Sequence, residues 1–386
     1  MRVLHVIGGL NPESGGPSRS VPGLCKALAE AGAETALFVH EETGSRRVCL
    51  GACRLFKGRG FGLKNAHGDF CAVLDEWQPD IVHLHGIWDL TCHIDTSICR
   101  KRGISYVIAP RGSLDAWCLN QKKWKKRLAL WLYQRRDLQK AIAIHTTSDA
   151  ETEYVRAQGC RQTVIQSPNG VNLPSFLPPA EKAANRFRAL FLSRMNRKKG
   201  VLDLVGAWGN VRPKNWICEL VYTIGNDEDK RYETQVKSLV DKLGLNDAFA
   251  FTGSMSDSDK WKAYRRADAF VLPTYAENFG IVIAEALYAG LPVLTTKRAP
   301  WKGLVDNECG WWVDVGASHL ENALREMSSL DKNELKRMGE RGRKFVLREF
   351  DWQEIAGKMI REYNRLLKET PVKRIVDKPQ CKLDIE

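Results

Sequence analysis

Two glutamates stand eight residues apart in an otherwise apolar stretch, YAENFGIVIAEALYAG (residues 275–290). The apolar run after Gly280 predicts a mostly buried helix, in which Glu285 has apolar neighbours on both sides. Because a buried carboxylate without a partner costs on the order of several kcal/mol, Glu285 indicates a ligand hydroxyl that satisfies it. Glu277 precedes the helix, where Asn278 and Gly280 predict a loop with free backbone N–H groups suited to an anion. A plain core helix remains the alternative.

A basic loop, SRMNRKKG (193–200), lies between a predicted strand and a predicted helix. A loop at the carboxyl end of a strand, beside a helix N-terminus, is where a diphosphate is commonly held. Arg194 and Lys199 are the best candidates for that contact. The alternative is a solvated basic loop that binds no ligand.

A glycine loop, NPESGGPS (11–18), follows the first predicted strand. It lacks the G-x-G-x-x-G spacing of dinucleotide sites, so the sequence does not predict a dinucleotide-binding fingerprint. Gly15 and Gly16 would still let the backbone approach a ligand closely, although a simple turn explains them nearly as well.

Polar residues also close two neighbouring strands in the first half of the chain. HLHGIWD (83–89) places His83 and His85 on one strand face, and His85, directly before a glycine, is predicted to be the more exposed. Adding His93 would suggest a metal, but no acidic or cysteine ligand stands at a familiar spacing, so no metal site is predicted. Arg111, in APRGSLD, closes the next strand, and it or His85 could face an acceptor or merely complete a loop.

The segment 121–140, QKKWKKRLALWLYQRRDLQK, mixes basic and aromatic residues. Such a mixture is typical of a helix on an anionic membrane surface, and residues 121–133 are predicted to make that contact. The alternatives are a solvated helix with a buried apolar stripe and nucleic-acid stacking. No nucleic-acid module accompanies the patch, so nucleic acid is not predicted as a partner. The cluster comprises Lys122, Lys123, Lys125, Lys126 and Arg127 with Trp124, Leu128, Leu130, Trp131, Leu132 and Tyr133.

Length and composition favour two globular domains. The 386-residue chain is 44% hydrophobic and 27% charged, and it exceeds the size of one ordinary core. No window reaches the roughly 18 apolar residues of a membrane span. Eleven scattered cysteines fit a reducing cytosol better than a disulfide framework, so we expect a cytoplasmic protein that can contact the inner membrane face. The net charge of +13 indicates an anionic partner.

Strands and helices must position these residues, and the chain alternates between the two. Such alternation predicts doubly wound parallel sheets, whose ligand sites gather at the carboxyl ends of the strands. Two Rossmann-like domains facing across a cleft are the predicted architecture. The predicted segments are an N-terminal domain over 1–173, a proline-rich linker over 172–187, a C-terminal domain over 187–350, an amphipathic helix over 351–368 and a loosely ordered tail over 369–386.

The E-x7-E spacing of Glu277 and Glu285, the basic loop at 193–200 and the early glycine loop together resemble the retaining glycosyltransferases of family 4. The resemblance extends through HTTSDAETEYVRAQG, SPNGV, FTGSMSDSDKWKAYRRADAFVLPT, CGWWV and FDWQEIAGKMI, and it spans nearly the whole chain. It implies the α/β GT-B fold, with an acceptor-binding N-terminal domain and a nucleotide-sugar-binding C-terminal domain. It also implies a final helix that crosses back to the N-terminal domain.

The resemblance implies that the second half binds the donor, a UDP- or GDP-sugar. Arg194 and Lys199 would neutralise the donor diphosphate. Backbone amides around Asn278, Phe279 and Gly280 would assist them. Because fixed cations and helix N–H groups can stabilise the departing diphosphate, no metal or other cofactor is expected.

The resemblance gives the two carboxylates different roles. Glu285 would accept hydrogen bonds from the nucleotide ribose, and Glu277 would face the transferred hexose. Gly15 and Gly16 would approach the donor from the first domain. The acceptor would attack the face that the leaving group departs from, and the phosphate would take the acceptor proton, so that no protein base is required.

One position departs from the family pattern. Many relatives carry a histidine where this chain has Arg111, so that role is not transferred to His85. HGIWD and CGWW are similar to a subset associated with bacterial surface polysaccharides, namely lipopolysaccharide, capsule and exopolysaccharide, which implies a lipid-linked saccharide acceptor. The competing hypotheses are another GT-B enzyme, such as a sugar-nucleotide epimerase or glycan phosphorylase, and a non-enzymatic basic protein that binds membrane or nucleic acid.

Overall fold

The chain folds into two compact units. The first comprises Met1–Gly170 with Phe350–Glu386, and the second comprises Val171–Glu349. Residues 171–173, which were predicted in the first domain, therefore belong to the second unit. Parts of the predicted linker (181–185) and tail (370–386) lie outside the described residues. The computed structural model describes residues 1–10, 16–41, 49–60, 62–121, 123–180 and 186–369.

A seven-stranded parallel sheet forms the centre of the first unit. Its strands are β1 Arg2–Gly9, β2 Glu34–Glu41, β3 Arg54–Lys57, β4 Ile81–His85, β5 Ser105–Ala109, β6 Ala143–Thr146 and β7 Thr163–Gln166. They lie in the order β3-β2-β1-β4-β5-β6-β7. Every residue of β4, β5 and β6 is buried, as expected for parallel strands that are covered on both faces.

The helices of the first unit connect these strands. Pro17 begins α1, where the missing N–H of proline costs no helical hydrogen bond. Ser148 caps α7 by accepting from the N–H of Glu151 at 3.2 Å. The helices are α1 Pro17–Glu30, α2 Leu63–Trp77, α3 Leu90–Arg102, α4 Ala116–Asn120, α5 Lys123–Ala129, the π-helical turn Leu130–Gln134, α6 Arg135–Lys140 and α7 Asp149–Ala157.

A six-stranded parallel sheet forms the centre of the second unit. Its strands are β8 Phe187–Arg194, β9 Trp216–Thr223, β10 Phe249–Gly253, β11 Ala269–Leu272, β12 Val293–Thr296 and β13 Gly310–Val313, in the order β10-β9-β8-β11-β12-β13. The helices are α8 Val201–Val211, α9 Asp227–Lys242, α10 Asp257–Arg266, α11 Ile281–Tyr288, α12 Gly303–Asp306, α13 Ala317–Ser329 and α14 Lys332–Glu349. The prediction of two doubly wound α/β domains is confirmed.

The last helix, α15 (Trp352–Glu369), packs on the first unit. Ile355, Met359 and Tyr363 recur at helical spacing and are buried in that unit's core. Trp352 lies so close to Gly170 that a Cβ there would approach the indole to 2.2 Å, so glycine is required. Within the described part of the chain, no helix is both long and apolar enough to cross a membrane.

Candidate functional site

The second sheet changes direction between β8 and β11. β9 and β10 follow on one side of β8, whereas β12 and β13 continue beyond β11. In doubly wound sheets the loops at such a switch point diverge and leave room for a ligand at the carboxyl ends of the strands. The loop after β8 is the basic loop 193–200, and the loop after β11 contains Glu277. The structure therefore brings these two sequence motifs together.

Direct contacts join the two loops. The N–H of Tyr275 donates to the carbonyl oxygen of Lys198 at 2.7 Å, and the Thr274 hydroxyl donates to the same oxygen at 3.0 Å. Gly200 has a φ of +67°, and a Cβ there would lie 2.0 Å from the carbonyl oxygen of Pro273. Only glycine fits such a close approach in this conformation, so the loops form one continuous surface.

Lys199 and Glu277 form an ion pair across the two loops. Lys199 ends the 3₁₀ turn Arg197–Lys199, and Asn196 caps this turn by accepting from the N–H of Lys198 at 3.0 Å. The paired side chains are 15% and 18% exposed, so the charges are shielded while solvent still reaches both. An ammonium group carries three N–H donors, so Lys199 can bind a second anion without releasing Glu277.

Arg194, the last residue of β8, is exposed over 46% of its side chain. Its Nε lies 3.6 Å from Oδ2 of the buried Asp229. That carboxylate accepts in turn from the N–H of Gly225 at 3.0 Å and from the side-chain amide of Asn196 at 2.6 Å. Because a guanidinium has five N–H donors, this single contact anchors Arg194 and leaves it able to bind an anion.

The chain from Glu277 to Gly280 enters α11, and the segment after β12 holds it in place. The N–H of Glu277 donates to a carbonyl oxygen of that segment at 3.0 Å, and the indole N–H of the buried Trp301 donates to the carbonyl oxygen of Phe279. Phe279 is buried and Asn278 is half-buried. Gly280, with a φ of +80°, is the N-cap residue of α11. The first N–H groups of a helix lack helical partners, so this loop and helix start are suited to an anion.

Glu285 lies in the second turn of α11 and is only 4% exposed. Its Oε1 accepts from Nζ of Lys260 at 2.7 Å, and its Oε2 accepts from the hydroxyl of Tyr264 at 2.9 Å. Both partners belong to α10. These contacts satisfy the buried carboxylate within the protein, so its burial alone does not require a ligand.

The first sheet changes direction between β1 and β4, and His85 and Arg111 lie at the carboxyl ends of β4 and β5. Arg111 donates to Nδ1 of His85 at 3.0 Å and to Oδ1 of Asn169 at 2.7 Å, so the structure brings the two predicted residues into contact. His85 is more exposed than His83, which is 0% exposed, but His85 is nevertheless buried. It is 7% exposed because Arg111 and His5 cover its two ring nitrogens. Arg111 itself is buried with a φ of +56°, which costs roughly 1–3 kcal/mol.

The contact with Arg111 determines which ring nitrogens of His85 and His5 are protonated. A guanidinium only donates hydrogen bonds, so Nδ1 of His85 accepts and the ring proton is on Nε2. That proton is donated to Nδ1 of His5 at 2.9 Å. The proton of His5 is therefore on its Nε2, which has no hydrogen-bond partner among the residues that the structure describes.

A second chain of hydrogen bonds crosses the same sheet. Nε2 of His145 donates to the carbonyl oxygen of Ser167 at 3.0 Å, so Nδ1 of His145 accepts. It lies 3.3 Å from Nε2 of His83, which is then the donor. Nδ1 of His83 accepts from the hydroxyl of Tyr363, on α15, at 2.6 Å. This chain links α15 to two strands of the first sheet.

Burial keeps these histidines neutral. Burial, and after it the charge of Arg111, lowers the pKa of His5 to about 3 and the pKa of His145 to about 3. Burial likewise lowers the pKa values of His83 and His85 well below the ordinary value. Ring nitrogens of His5, His83 and His85 lie within 4.8 Å of one another, which is close enough for a shared metal ion. The guanidinium 3.0 Å from His85 opposes a further cation there.

Four other positions from the sequence analysis remain, and the structure describes two of them. Gly16 is the N-cap residue of α1 with a φ of −53°, and a Cβ there would meet no atom within 4 Å, so the backbone does not require glycine. Gly15 and Lys122 lie outside the described residues. His93, which we considered as a metal ligand, contacts Asp137 at 2.8 Å.

Comparison with known proteins gives the family of this chain. Residues 176–345 match the sequence profile of the Glycosyl transferases group 1, and residues 15–170 match that of the Glycosyl transferase 4-like domain. The chain belongs to the GT-B glycosyltransferase family. The two profiles fall on the second and first units respectively, so both halves of this GT-B protein contribute to the assignment.

Two curated relatives illustrate the extent of the similarity. The D-inositol 3-phosphate glycosyltransferase of Arthrobacter sp. (strain FB24) is 32% identical over 167 residues, which cover 39% of this chain and 40% of that protein. The putative colanic acid biosynthesis glycosyltransferase WcaL of Escherichia coli (strain K12) is 26% identical over 235 residues, which cover 58% of this chain and 55% of that protein. The matches thus span only about half of these relatives.

Solved structures confirm the predicted GT-B fold. The sucrose-phosphate synthase of Thermosynechococcus elongatus gives a TM-score of 0.81 at 21% identity, covering 95% of this chain and 99% of that one. HepE of Anabaena, solved with UDP and glucose, gives a TM-score of 0.70 at 17% identity, covering 95% of this chain and 100% of that one. At these identities the similarity establishes the fold alone.

The basic aromatic segment of this GT-B protein exposes large apolar side chains. The exposed fractions are 68% for Trp124, 47% for Leu128, 78% for Trp131 and 58% for Leu132. The alternative of a buried apolar stripe is therefore wrong for these four residues, because α5 and the following π-helical turn direct them to solvent. A cluster of this kind marks an interaction surface more often than an ordinary solvated face.

Sequence reasoning missed several residues that complete the site of this GT-B protein. Lys260 and Tyr264 stand four residues apart, a spacing that places them on one helix face, but nothing in DSDKWKAYRR indicates the carboxylate they contact. Asp229, in the first turn of α9, resembles an ordinary helix-start acid. Trp301, in RAPWKG, could have been noticed as a large aromatic residue in the segment that follows a predicted strand.

Proposed function

We propose that the protein is a retaining glycosyltransferase that moves a hexosyl group from a UDP- or GDP-sugar to a saccharide acceptor. The observation that carries this proposal is the meeting of Lys199, Glu277 and the start of α11 at the switch point of the second sheet. An anionic leaving group requires cations and free N–H groups, and a sugar requires hydrogen-bond acceptors for its hydroxyls. Family membership supports the same reaction.

The donor diphosphate would bind between the basic loop and the start of α11. Lys199 would contact the phosphates while it keeps its ion pair with Glu277, and Arg194 would approach from its anchor on Asp229. The backbone amides around Asn278, Phe279 and Gly280 would complete the contact, since Trp301 holds the intervening carbonyl. These fixed positive groups offset the charge of the diphosphate, so we expect transfer without a metal or other cofactor.

The reaction itself exchanges one bond at the anomeric carbon for another. The bond to the phosphate oxygen breaks, and the bond to the acceptor oxygen forms on the same face of the sugar. Negative charge grows on the departing phosphate, where Lys199 and Arg194 stabilise it, and the acceptor proton passes to that phosphate. Glu277 would orient the sugar by accepting hydrogen bonds from its hydroxyls.

The ribose of the donor would contact Glu285. Lys260 and Tyr264 occupy one acceptor position on each oxygen of this carboxylate. Because each carboxylate oxygen can accept two hydrogen bonds, Glu285 keeps one acceptor position on each oxygen for a ribose hydroxyl.

The acceptor would bind at the first unit, whose switch point lies between β1 and β4. His85 and Arg111 shape the carboxyl edge there. A lipid-linked saccharide used in lipopolysaccharide, capsule or exopolysaccharide biosynthesis is the acceptor we propose. The name of the relative WcaL and the exposed segment 121–133 support this choice.

A panel of nucleotide sugars tests the proposed reaction. We expect slow hydrolysis of one UDP- or GDP-hexose, with the released sugar in the same anomeric configuration as the donor, measured by NMR. Conversion to a different free sugar nucleotide would indicate an epimerase, and phosphate-dependent cleavage of a glycan would indicate a phosphorylase. Failure to bind UDP or GDP would overturn the donor site and favour a non-enzymatic binding protein.

Vesicle sedimentation tests the proposed membrane surface, which implies a cytoplasmic protein bound peripherally to the inner membrane face. We expect binding to anionic but not to neutral vesicles, and a decrease as salt rises, because screening weakens the attraction. Replacing Trp124 and Trp131 by Ala should abolish binding. Replacing Lys230 and Lys242 on α9 by Gln is the matched control and should not. Equal binding to neutral vesicles, or no binding to anionic vesicles, would show that the segment is an ordinary solvated surface and not a membrane-binding one.

A further inference from the structure

Glu285 is held by two side chains of a neighbouring helix. Lys260 and Tyr264 stand four residues apart on α10, so they lie on the same face, and each contacts a different oxygen of the carboxylate. Lys260 is only 8% exposed, which is unusual for a lysine. A lysine buried to this degree needs a partner, and Glu285 is that partner at 2.7 Å.

Further contacts hold the ammonium group of Lys260 in place. It lies 5.3 Å from the centre of the Trp261 ring and 4.0 Å from a carboxylate oxygen of Asp257. The Tyr264 hydroxyl lies 3.2 Å from the carbonyl oxygen of Val282, in the first turn of α11, as well as 2.9 Å from Glu285. The face of α10 is therefore fitted to α11, and the carboxylate of Glu285 cannot rotate without breaking a contact at each oxygen.

This arrangement leaves Glu285 with a defined acceptor geometry. Each carboxylate oxygen accepts up to two hydrogen bonds, and Lys260 and Tyr264 each use one. One acceptor position remains on each of the two oxygens of this carboxylate. Two neighbouring hydroxyls of a ribose, the 2′ and the 3′, present two donors side by side and match this pattern.

We propose that Lys260 is a positioning residue for ribose recognition, and that it orients Glu285 so that the protein distinguishes ribonucleotides from 2′-deoxynucleotides. The inference rests on the proposed donor site and adds a specificity to it. Lys260 acts through Glu285 and does not itself touch the nucleotide. Without its ammonium group the carboxylate would lose one of its two fixed contacts and rotate, and the two hydroxyls would no longer meet both oxygens.

The test compares the affinities of UDP and 2′-deoxy-UDP, and of GDP and 2′-deoxy-GDP, by calorimetry. We expect wild type to bind the ribonucleotide roughly tenfold more tightly than its deoxy form, since a hydrogen bond to a carboxylate is lost. Lys260→Met should reduce this ratio to about twofold or less. Lys260→Arg, which keeps a cation, should restore most of it.

Lys262→Met is the matched control. Lys262 lies two residues further along α10, is 60% exposed and pairs with Asp259 at 3.1 Å, away from Glu285. We expect this variant to keep the wild-type ratio. Tyr264→Phe removes the other fixed contact without removing a charge, so it should also lower the ratio of ribonucleotide to deoxynucleotide affinity. This variant replaces Lys260→Met in the test if Lys260→Met does not fold.

The outcomes separate this inference from the proposed function. A wild-type protein that binds neither UDP nor GDP overturns the donor site and the inference together. A wild-type protein that binds ribonucleotides and 2′-deoxynucleotides with equal affinity overturns only the ribose assignment. Equal weakening of both nucleotides in folded Lys260→Met, with the ratio unchanged, shows a merely structural ion pair and overturns the role of Lys260.

Discussion

The two sheets have doubly wound topologies but use polar residues at their carboxyl edges in opposite ways. In the second unit, Lys199 and Glu277 pair where solvent reaches both, and Arg194 is about half exposed. In the first unit, Arg111 and His85 are buried and hold each other inside a hydrogen-bonded cluster. Accessible charges can exchange partners with a ligand, whereas groups in a buried network cannot do so without leaving polar atoms unsatisfied.

This difference indicates two kinds of preorganisation. The second unit holds its cations and the start of α11 at one edge of the sheet, through backbone contacts between loops. The first unit fixes its loop after β5 through a buried guanidinium that sits in a strained backbone conformation. We infer that the carboxyl edge of the first sheet presents a rigid surface, and that recognition of the charged donor would reside in the second unit.

The largest expected effect concerns Glu277. Replacing it by Gln removes the charge that would orient the transferred sugar, so we expect donor turnover to fall roughly a hundredfold or more, while UDP or GDP affinity changes little. Turnover and calorimetric affinity would be measured together. Glu233→Gln is the control, because Glu233 pairs with Lys237 at 2.6 Å and is 15% exposed, much like Glu277. Near-normal turnover in Glu277→Gln would show that Glu277 does not act on the transferred sugar.

The next prediction tests directly whether the two units differ in their contribution to nucleotide binding. Lys199→Ala should weaken binding of the nucleoside diphosphate by about ten- to a hundredfold, because a charge-assisted contact is lost. Arg111→Gln removes a cation from the first unit and should leave that affinity unchanged. If both variants lost affinity equally, the division of roles between the units would be wrong.

A smaller effect is expected at Trp301. Trp301→Phe removes the indole N–H that holds the carbonyl oxygen of Phe279, so we expect about three- to tenfold weaker nucleotide binding. Trp312→Phe is a matched control, because its indole N–H donates to the carbonyl oxygen of Ala299 at 2.8 Å, outside the loop that enters α11. Similar losses of affinity in both variants would mean that Trp301 contributes only stability.

The smallest effect tests the buried histidines through pH. Burial lowers the pKa of His5 to about 3 from an ordinary 6.5, so below pH 6.5 the unfolded state binds a proton that the folded state does not. The free energy of unfolding should therefore fall as pH drops from about 6.5 toward 3, by roughly 1 kcal/mol per pH unit for such a histidine. Urea unfolding at several pH values would measure this slope. His5→Gln should flatten it, and an unchanged slope would contradict the neutral cluster.

Much of the candidate site in the second unit could be predicted from sequence, for a physical reason. Arg194 ends a strand, and Lys199 and Glu277 lie in segments that follow strands. Strands and the loops after them can be predicted from local patterns of apolar residues, glycine and charge. The partners of Glu285 could not be predicted. Its burial was expected, but its contact with Lys260 depends on how two helices pack, and local periodicity carries no such information.

Whether the exposed segment and the histidine cluster are buried could not be predicted from sequence either. The periodicity of 121–140 is compatible with either a buried or an exposed apolar face, and only the fold directs Trp124 and Trp131 to solvent. His85 was expected to be better placed than His83 for an exposed role because it precedes a glycine, yet it is buried. Its burial results from Arg111, which follows the next strand and folds back over it.

The sequence by itself determined the alternation of strands and helices, the division into two α/β domains and the loops that carry the basic residues and the first carboxylate. These features depend on interactions between residues close together in the chain. The tertiary structure decided which polar groups satisfy one another. Tyr363 contacts His83 across 280 positions and Lys260 contacts Glu285 across 25, because burial forces polar atoms to find partners wherever the packing of distant segments places them.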